Sequence, residues 1–307
     1  MRDVIPAVDR ELLVQELSED KFVRKTNKGG RDIYIITHQN ASNVMRELGR
    51  LRELTFREAG GGTGEEVDID KYDTAENSFK QLIVWDAADK EIVGGYRYME
   101  GRRVSLDEYG APISPTSKLF KFSDKFIKNY LQETIELGRS FVQPKYQPLN
   151  NLRKGIYSLD NLWDGLGSLM VDYPEIKYFF GKFTMYPSYD RYSRDVIHHF
   201  LHKYFPDNDE LIVPYESFLS QYDYNELEKL FMASTYQENY KVMVKFVRKR
   251  GYNVPPLVNA YMNLSPTMRT FGTALNRSFG DVEETGILIT IGDVYDGKID
   301  RHVSNYK

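Results

Sequence analysis

Cysteine is absent from the 307 residues of this chain. Disulfide frameworks, thiolate zinc sites, iron–sulfur clusters and cysteine nucleophiles are therefore excluded. Long apolar runs are absent too, since the longest, 82–85 and 286–291, fall far short of the roughly 20 residues that a membrane-spanning helix needs. The N-terminal stretch MRDVIPAVDRELL has scattered charges and lacks the apolar segment of a secretory signal. The sequence therefore predicts a soluble, cytoplasmic protein.

The charges nearly balance, and tryptophan is scarce. With 41 basic and 45 acidic residues the formal net charge is −4, so there is no overall electrostatic reason to expect nucleic acid as a partner. Only 2 tryptophans occur beside 23 tyrosines and 17 phenylalanines. Two interpretations of these rings stay open. They build an aromatic core with a tyrosine-rich surface, or they line an apolar channel or a lipid-contacting surface.

Hydrophobic patterning predicts a mixed order of strands and helices. Strands are expected at 32–37, 81–85, 91–99, 134–142, 177–186, 269–279 and 286–291. Helices are expected at 7–18, 40–59, 159–171, 195–204 and over most of 208–250. This order predicts an α/β (α+β) fold with a mixed sheet. We expect one domain over 1–307, with a helical insertion at 205–255 packed on its side.

The predicted helix at 40–59 carries a charged residue within its apolar face. At about 100° per residue, Arg52 projects between Leu48 and Phe56. Burying an unpaired guanidinium is costly. Arg52 therefore either extends its head group to water or faces a cleft that holds a partner for it.

An acidic run follows this helix. The stretch EEVDIDKYD at 65–73 holds five carboxylates in nine residues. It is either a solvated loop or the source of a partner for Arg52. A calcium loop is the weaker idea, because the spacing lacks the central glycine and terminal glutamate of an EF-hand.

The predicted strand at 134–142 contains a glycine between two charged residues. On a regular strand Glu136 and Arg139 would face opposite sides. A bulge at Gly138 would turn both onto one face and free backbone N–H groups that could polarise an acyl carbonyl. The alternative is an ordinary surface ion pair. Arg97 has a similar setting, just after Gly94 and Gly95 in a neighbouring strand.

Taken in order, these motifs resemble those of a known family. The motifs are Arg52-x-x-x-Phe56, Asp70-x-x-Asp73, Gly95-x-Arg97 and Glu136-x-x-Arg139. They resemble the acyl-homoserine lactone synthases of the GNAT acyltransferase superfamily. The resemblance is closer to the bacterial N-acyltransferases that make ornithine and glycine lipids, which are often labelled hemolysins. Three further stretches match that branch: ELGRSFVQPKY at 136–146, LWDGL at 162–166, and VPPLVNAY at 254–261 leading to 279–280.

The resemblance implies a GNAT-like twisted mixed β-sheet flanked by helices. It also implies transfer of a long, 3-hydroxylated acyl chain from acyl carrier protein to the amine of glycine or ornithine, in amino-acid lipid synthesis. The glycines of the usual pyrophosphate loop are missing from 148–154. The expected donor is therefore the phosphopantetheine thioester of acyl carrier protein rather than acyl-CoA, with the phosphate of its arm at 150–158. No metal is expected, because His198 and His202 have helical zinc spacing but no evident third ligand.

The expected roles follow the matched motifs. Glu136 is the candidate base, and Arg139 and Arg97 are candidates to bind the acceptor carboxylate. The oxyanion would be held by N–H groups around Ser140, Phe141 and Val142. Substrate-binding roles fall to Arg52, Phe56, Asp70 and Asp73, the two aspartates holding Arg52 or the acceptor ammonium.

Two other functions stay open from the sequence. One is a synthase of acyl-homoserine lactone signals, and the other is a non-catalytic GNAT-like module that binds acyl groups or carrier protein. The basic-aromatic stretches 118–128 and 245–250 are candidate surfaces for an acidic carrier protein, or simply solvated helix faces. A peripheral contact with the inner membrane is also left open, because the expected product is insoluble.

Overall fold

The computed structural model describes residues 1–147, 152–217 and 220–306. The chain divides into two compact units. The first comprises Met1–Val104, Gln132–Phe179 and Tyr295–Lys307, and the second comprises Ser105–Leu131 and Phe180–Val294. In the part of the chain so described, no helix has both the length and the apolar character needed to cross a membrane.

Strands and helices are interspersed along the chain. The strands are β1 (Phe22–Lys25), β2 (Asp32–Ile36), β3 (Lys80–Asp86), β4 (Glu91–Glu100), β5 (Phe120–Phe122), β6 (Thr134–Val142), β7 (Tyr178–Met185), β8 (Ile212–Pro214), β9 (Arg269–Asn276) and β10 (Val282–Thr290). The α-helices are α1 (Arg10–Glu16), α2 (Ser42–Glu58), α3 (Lys71–Thr74), α4 (Asp124–Asn129), α5 (Leu152–Gly155), α6 (Ser158–Asp172), α7 (Arg191–Tyr204), α8 (Tyr224–Leu230), α9 (Tyr236–Lys249), α10 (Pro256–Met262) and α11 (Asp296–His302).

The first unit is an antiparallel sheet covered on both faces. Its strand order is β1-β2-β3-β4-β6, and each neighbouring pair is antiparallel. Successive side chains of β4 point to opposite faces. Tyr96 points toward α6, where its hydroxyl meets the carbonyl of Leu162 at 3.5 Å. Arg97 therefore points to the other face, which α2 covers.

The second unit also combines strands with helices. Strand β10 lies between β7 and β9, and it pairs antiparallel with β9, while β5 pairs antiparallel with β8. Helices α7 and α9 pack together around the fully buried Phe200. Rings around Phe200 with centroids within 6.2 Å belong to Tyr204, Phe231, Tyr236 and Tyr240. Part of the aromatic excess thus builds this core.

The predicted α/β class is confirmed, and several elements have nearly the predicted bounds. The strand predicted at 134–142 is exact, and the helix predicted at 40–59 is α2. The prediction of helix over most of 208–250 was wrong at 212–214, which forms β8. Among the residues of that range that the structure describes, only α8 and α9 are helical. A single domain over 1–307 with an insertion at 205–255 stays a prediction.

A β-bulge interrupts β6. Gly95 pairs with Phe141 and Arg97 pairs with Gly138, so Arg139 and Ser140 lie opposite the single residue Tyr96. Arg139 has φ +53°, in the left-handed region that is strained for a side chain of this size. The extra residue predicted from Gly138 is therefore present, immediately after that glycine.

Replacing Gly94 by alanine is expected to lower the free energy of unfolding by about 1–3 kcal/mol. A Cβ at Gly94 would lie 2.3 Å from the carbonyl oxygen of Phe141 and 3.1 Å from Cα of Val142. Backbone atoms of a paired strand cannot rotate away. Both tryptophans lie in the first unit, so tryptophan fluorescence during chemical denaturation measures the effect. Gly297→Ala is the control, because nothing lies within 4 Å of that position, and an equal loss there would contradict the prediction.

Candidate active site

Helix α2 holds the acidic segment that follows it close to its own backbone. The helix begins where the carboxylate of Glu16 accepts the N–H groups of Asn43 at 3.1 Å and Val44 at 2.9 Å, satisfying two donors of its first turn. At Gly49 a Cβ would lie 2.5 Å from Cγ1 of Ile69. A glycine at this position lets the residues around Ile69 run against the helix. The carboxylates of that segment are thereby brought to the same face of the sheet.

Arg52 is completely buried and has several partners. Its Nη1 lies 3.3 Å from Oδ2 of Asp73 and donates to the carbonyl of Asp68 at 3.4 Å. Its Nη2 donates to Oε1 of Gln81. Of the two sequence alternatives for Arg52, the structure shows the buried guanidinium with a carboxylate partner.

The short helix α3 positions two carboxylates. Oδ1 of Asp70 accepts the N–H of Tyr72 at 2.8 Å. The side chain of Asp70 also accepts the N–H of Asp73, and Oδ2 of Asp73 accepts the N–H of Asp70 at 3.1 Å, so these two reciprocal bonds form a capping box. Both carboxylates reach Arg97 on β4. Asp70 binds it with two parallel bonds of 2.9 and 3.0 Å, and Oδ2 of Asp73 lies 3.0 Å from its Nη1.

These buried groups alter one another's protonation. Burial alone would raise the pKa of Asp73, but the guanidinium groups of Arg97 and Arg52 outweigh it and lower that pKa. Burial lowers the pKa of Arg52. For Arg97 burial opposes the charge, and the carboxylates of Asp73 and Asp70 overcome it and raise the pKa. Asp73 is therefore charged throughout the neutral and mildly acidic range.

Two buried residues of this network were not predicted as site residues. Gln81 donates from Nε2 to Oδ1 of Asp73 at 3.0 Å while it accepts from Arg52, so it joins the pair. Asp68 is 1% exposed, and its Oδ2 lies 2.8 Å from Nε of Arg139. The acidic run contained Asp68, and a glutamine within the apolar strand QLIVW was the available signal for Gln81.

The bulge places Glu136 and Arg139 on the face that carries Arg97. Glu136 is buried and pairs in register with Met99, two residues along β4 from Arg97. Arg139 reaches Asp68 on the same side of the sheet. Tyr72 lies near this group, with its ring centroid 6.0 Å from the guanidinium carbon of Arg97. Burial raises the pKa of its phenol, and the carboxylates of Asp70 and Glu136 raise it further.

The remaining predicted site residues line the bulge. Phe56 and Phe141 are both buried and meet edge to face, with ring centroids 6.4 Å apart. Ser140 is exposed and Val142 is half-buried. A bulge leaves part of the strand ladder unpaired, which is the property needed for N–H groups that stabilise an oxyanion.

The structure thus brings most predicted residues into one cluster, which we call the arginine–carboxylate cluster: Arg52, Asp68, Asp70, Asp73, Gln81, Arg97, Glu136 and Arg139. Asp73 holds Arg52 as expected, but Asp70 holds Arg97 instead. The terminal nitrogens of Arg97 are thereby bound to Asp70, which leaves Arg97 poorly placed for an acceptor carboxylate. The catalytic and binding roles stay predictions. Of the stretch 150–158 predicted to hold a phosphate, residues 150 and 151 lie outside the described residues.

No cluster of three or more metal-ligating side chains occurs within 1–147, 152–217 and 220–306. His198, with helical spacing to His202, instead places its Nε2 3.2 Å from Glu283. That carboxylate also accepts from Arg191 and Arg194. The prediction of a metal-free protein stays a prediction.

Comparisons with known proteins show what this chain is similar to. A family model described as an acetyltransferase (GNAT) domain matches residues 51–153, which contain the whole cluster. A glycine N(alpha)-acyltransferase of Bacteroides thetaiotaomicron is 58% identical over 306 residues, covering 100% of this chain and 91% of the relative. One of Phocaeicola vulgatus is 54% identical over 306 residues, covering 100% and 94%. A solved structure of a CoA-dependent acyl-homoserine lactone synthase, BjaI, with SAM and isopentyl-CoA aligns over 90% of this chain and 92% of that chain at 12% identity, with a TM-score of 0.40.

Proposed function

Since this chain belongs to the GNAT acyltransferase family, together with the two glycine N(alpha)-acyltransferases, we propose that it joins a long-chain acyl group to the amine of glycine. The observation that carries this proposal is identity above one half over the whole chain to two relatives of that name. The proposed product is an N-acylglycine, the first intermediate of an amino-acid lipid. Ornithine is the other acceptor that we consider.

The arginine–carboxylate cluster has groups suited to this chemistry. Glycine carries an ammonium that must lose a proton before its nitrogen attacks the thioester carbonyl, and we assign that proton to the carboxylate of Glu136. The carbon–nitrogen bond forms, the carbon–sulfur bond breaks, and the thiol leaves with a proton. N–H groups at the bulge would stabilise the tetrahedral oxyanion. With three guanidinium groups and four carboxylates the cluster carries one excess negative charge, which favours an incoming ammonium.

Arg139 is the best candidate to bind the acceptor carboxylate. A guanidinium recognises a carboxylate through paired N–H donors. The side chain of Arg139 is 19% exposed, whereas those of Arg52 and Arg97 are 0% and 2% exposed. An acceptor from solution can therefore reach Arg139 without breaking a fully buried pair.

We propose acyl carrier protein as the donor, with a 3-hydroxylated chain. The support is the sequence after Gln147, where 148–154 lacks the glycines that would cradle the pyrophosphate of coenzyme A. Residues 148–151 lie outside the described part of the chain, so this support rests on the sequence alone.

Mass spectrometry of lipids from a host that expresses the protein tests the proposal. We expect a new N-acylglycine that the empty host lacks. A new N-acylornithine would change the acceptor and keep the reaction. A new acyl-homoserine lactone would move the protein to signal synthesis. No new amide, with folded protein and acyl donors present, would favour a non-catalytic binding module.

The Arg139→Ala variant is expected to raise the KM for glycine about 10- to 100-fold, with a smaller change in kcat. The reason is loss of a charged hydrogen bond to the acceptor carboxylate. Steady-state kinetics with purified protein and varied glycine measure it. Arg139→Lys is the matched variant, because lysine keeps the positive charge but lacks the paired N–H donors of a guanidinium. We expect its KM for glycine to lie between those of the wild type and Arg139→Ala. A fall in kcat at unchanged KM would contradict this role for Arg139.

A further inference from the structure

We infer that the exposed face of α9 is the docking surface for an acidic acyl carrier protein, an inference that rests on the donor proposed above. Four cations lie on this face: Lys241, Lys245, Arg248 and Lys249, all of them exposed. Spacings of four, seven and eight residues fall on one side of an α-helix, and this row extends over about 12 Å. We call these residues the α9 basic row.

The packing of α9 against α7 leaves the α9 basic row on the outer side of the helix. The opposite side of α9 carries Asn239, Met243 and Val247, all buried, and α9 packs against α7. Tyr240 and Val244 are half-buried beside the cations. The outer face therefore combines a line of positive charge with a narrow apolar strip, which is the composition that an acidic, amphipathic partner helix would complement.

The four cations have no acidic partners within the described residues. None of their side chains takes part in an ion pair there, although the whole chain has an excess of acidic residues. The helix has one carboxylate, Glu238, and its Oε2 accepts from the hydroxyl of Thr235 at the N-terminus. A carboxylate that pairs with the α9 basic row therefore belongs to another molecule.

In the second basic stretch, 118–128, two of the four lysines have acidic partners. Lys125 lies 2.7 Å from Asp209, and Lys128 lies 3.2 Å from Asp124. In the stretch 245–250, Arg250 is likewise bound to Asp190, with bonds of 2.5 and 2.9 Å. Of the two surfaces that the sequence suggested, the one on α9 keeps its positive charge available, and Lys241 extends it toward the N-terminus of the helix.

An anionic membrane is the rival partner for such a row. A helix that lies in a membrane interface inserts large exposed apolar side chains beside its cations. In α9 the apolar side chains are buried or half-buried, so the helix offers nothing of that size for insertion. An acidic protein partner fits this surface better.

Donor kinetics with a charge-reversed row test the inference. We expect the double variant Lys241→Glu/Lys245→Glu to lower kcat/KM for the acyl carrier protein thioester at least about tenfold, with weaker salt dependence than the wild type. The same acyl chain on pantetheine, which lacks the protein, should react as with the wild type. Lys121→Glu/Lys128→Glu is the matched control for net charge and for the other basic stretch, and it should leave both donors unchanged.

Three results would overturn the inference: equal losses with both donors, no loss with either donor, or loss of binding to phosphatidylglycerol vesicles at unchanged carrier-protein kinetics. If the wild-type protein forms no N-acylglycine from either donor, the proposed function fails. Direct titration of the wild-type and double-variant proteins with acyl carrier protein then decides the docking surface. Weaker binding by the variant supports it, and equal binding overturns it.

Discussion

The Glu136→Gln variant is expected to lose about 10²- to 10⁴-fold in kcat, while its KM for glycine changes little. Glutamine keeps the shape of the side chain and removes its ability to accept the proton of the acceptor ammonium. Glu136 is buried beside the bulge, on the face of the sheet that carries Arg97. Formation of N-acylglycine by purified protein, followed by mass spectrometry at saturating donor and glycine, measures the loss.

Glu133→Gln is the matched control for this variant. Glu133 immediately precedes β6, and its carboxylate lies 2.7 Å from Lys177 at the surface, away from the arginine–carboxylate cluster. We expect its kcat to stay within about twofold of the wild type. If Glu136→Gln retains wild-type kcat while the protein is folded, the base lies elsewhere, and a water relay held by another carboxylate would take its place.

The bulge in β6 could be predicted because its cause is local. A glycine between charged residues in a strand-forming stretch signals a break in the two-residue period. The structure places the extra residue directly after Gly138, with Arg139 at positive φ. The expected consequence, Glu136 and Arg139 on one face, follows from the period alone.

The pairing within the cluster could not be predicted, because it depends on long-range packing. Asp70 and Arg97 are 27 residues apart in sequence. Their two hydrogen bonds form only when α3, whose N-cap residue is Asp70, lies beside β4. Gln81 lies in an otherwise apolar strand, and only the position of α2 shows that it bridges a guanidinium and a carboxylate. A sequence identifies charged residues that need partners, but not which partner the fold supplies.

The division into two units was also beyond the sequence. The segment Ser105–Leu131 belongs to the second unit, although the residues before and after it belong to the first unit. Proline, glycine and serine are frequent at 110–117, just after the first crossing, but no such stretch lies at the other crossings, so composition gives no consistent boundary signal. Contacts between residues far apart in sequence decide the division.

The Asp73→Asn variant is expected to lower the free energy of unfolding of the first unit by about 3–5 kcal/mol. The amide keeps the shape of the side chain but leaves Arg52 fully buried without its carboxylate, while Arg97 retains Asp70. Tryptophan fluorescence during denaturation measures the loss, since both tryptophans lie in this unit. Glu65→Gln is the control, because its pair with Arg2 is exposed and lies in the same unit, and we expect no measurable change.

The pH dependence separates charge from shape in this variant. Burial would raise the pKa of Asp73, but Arg97 and Arg52 lower it below its ordinary value of 3.8. The stability that the charged carboxylate of Asp73 gives to the fold is therefore complete above pH 3.8 and is lost as the pH falls through the lowered pKa. The stability difference between wild type and Asp73→Asn should therefore be constant from about pH 7 to 5 and shrink below about pH 4. Adding Arg52→Met should recover part of the loss, because the uncompensated charge is then gone. Two results would mean that Asp73 acts through packing rather than charge. One is a stability difference that does not change with pH, and the other is a double variant whose loss of stability equals the sum of the two single losses.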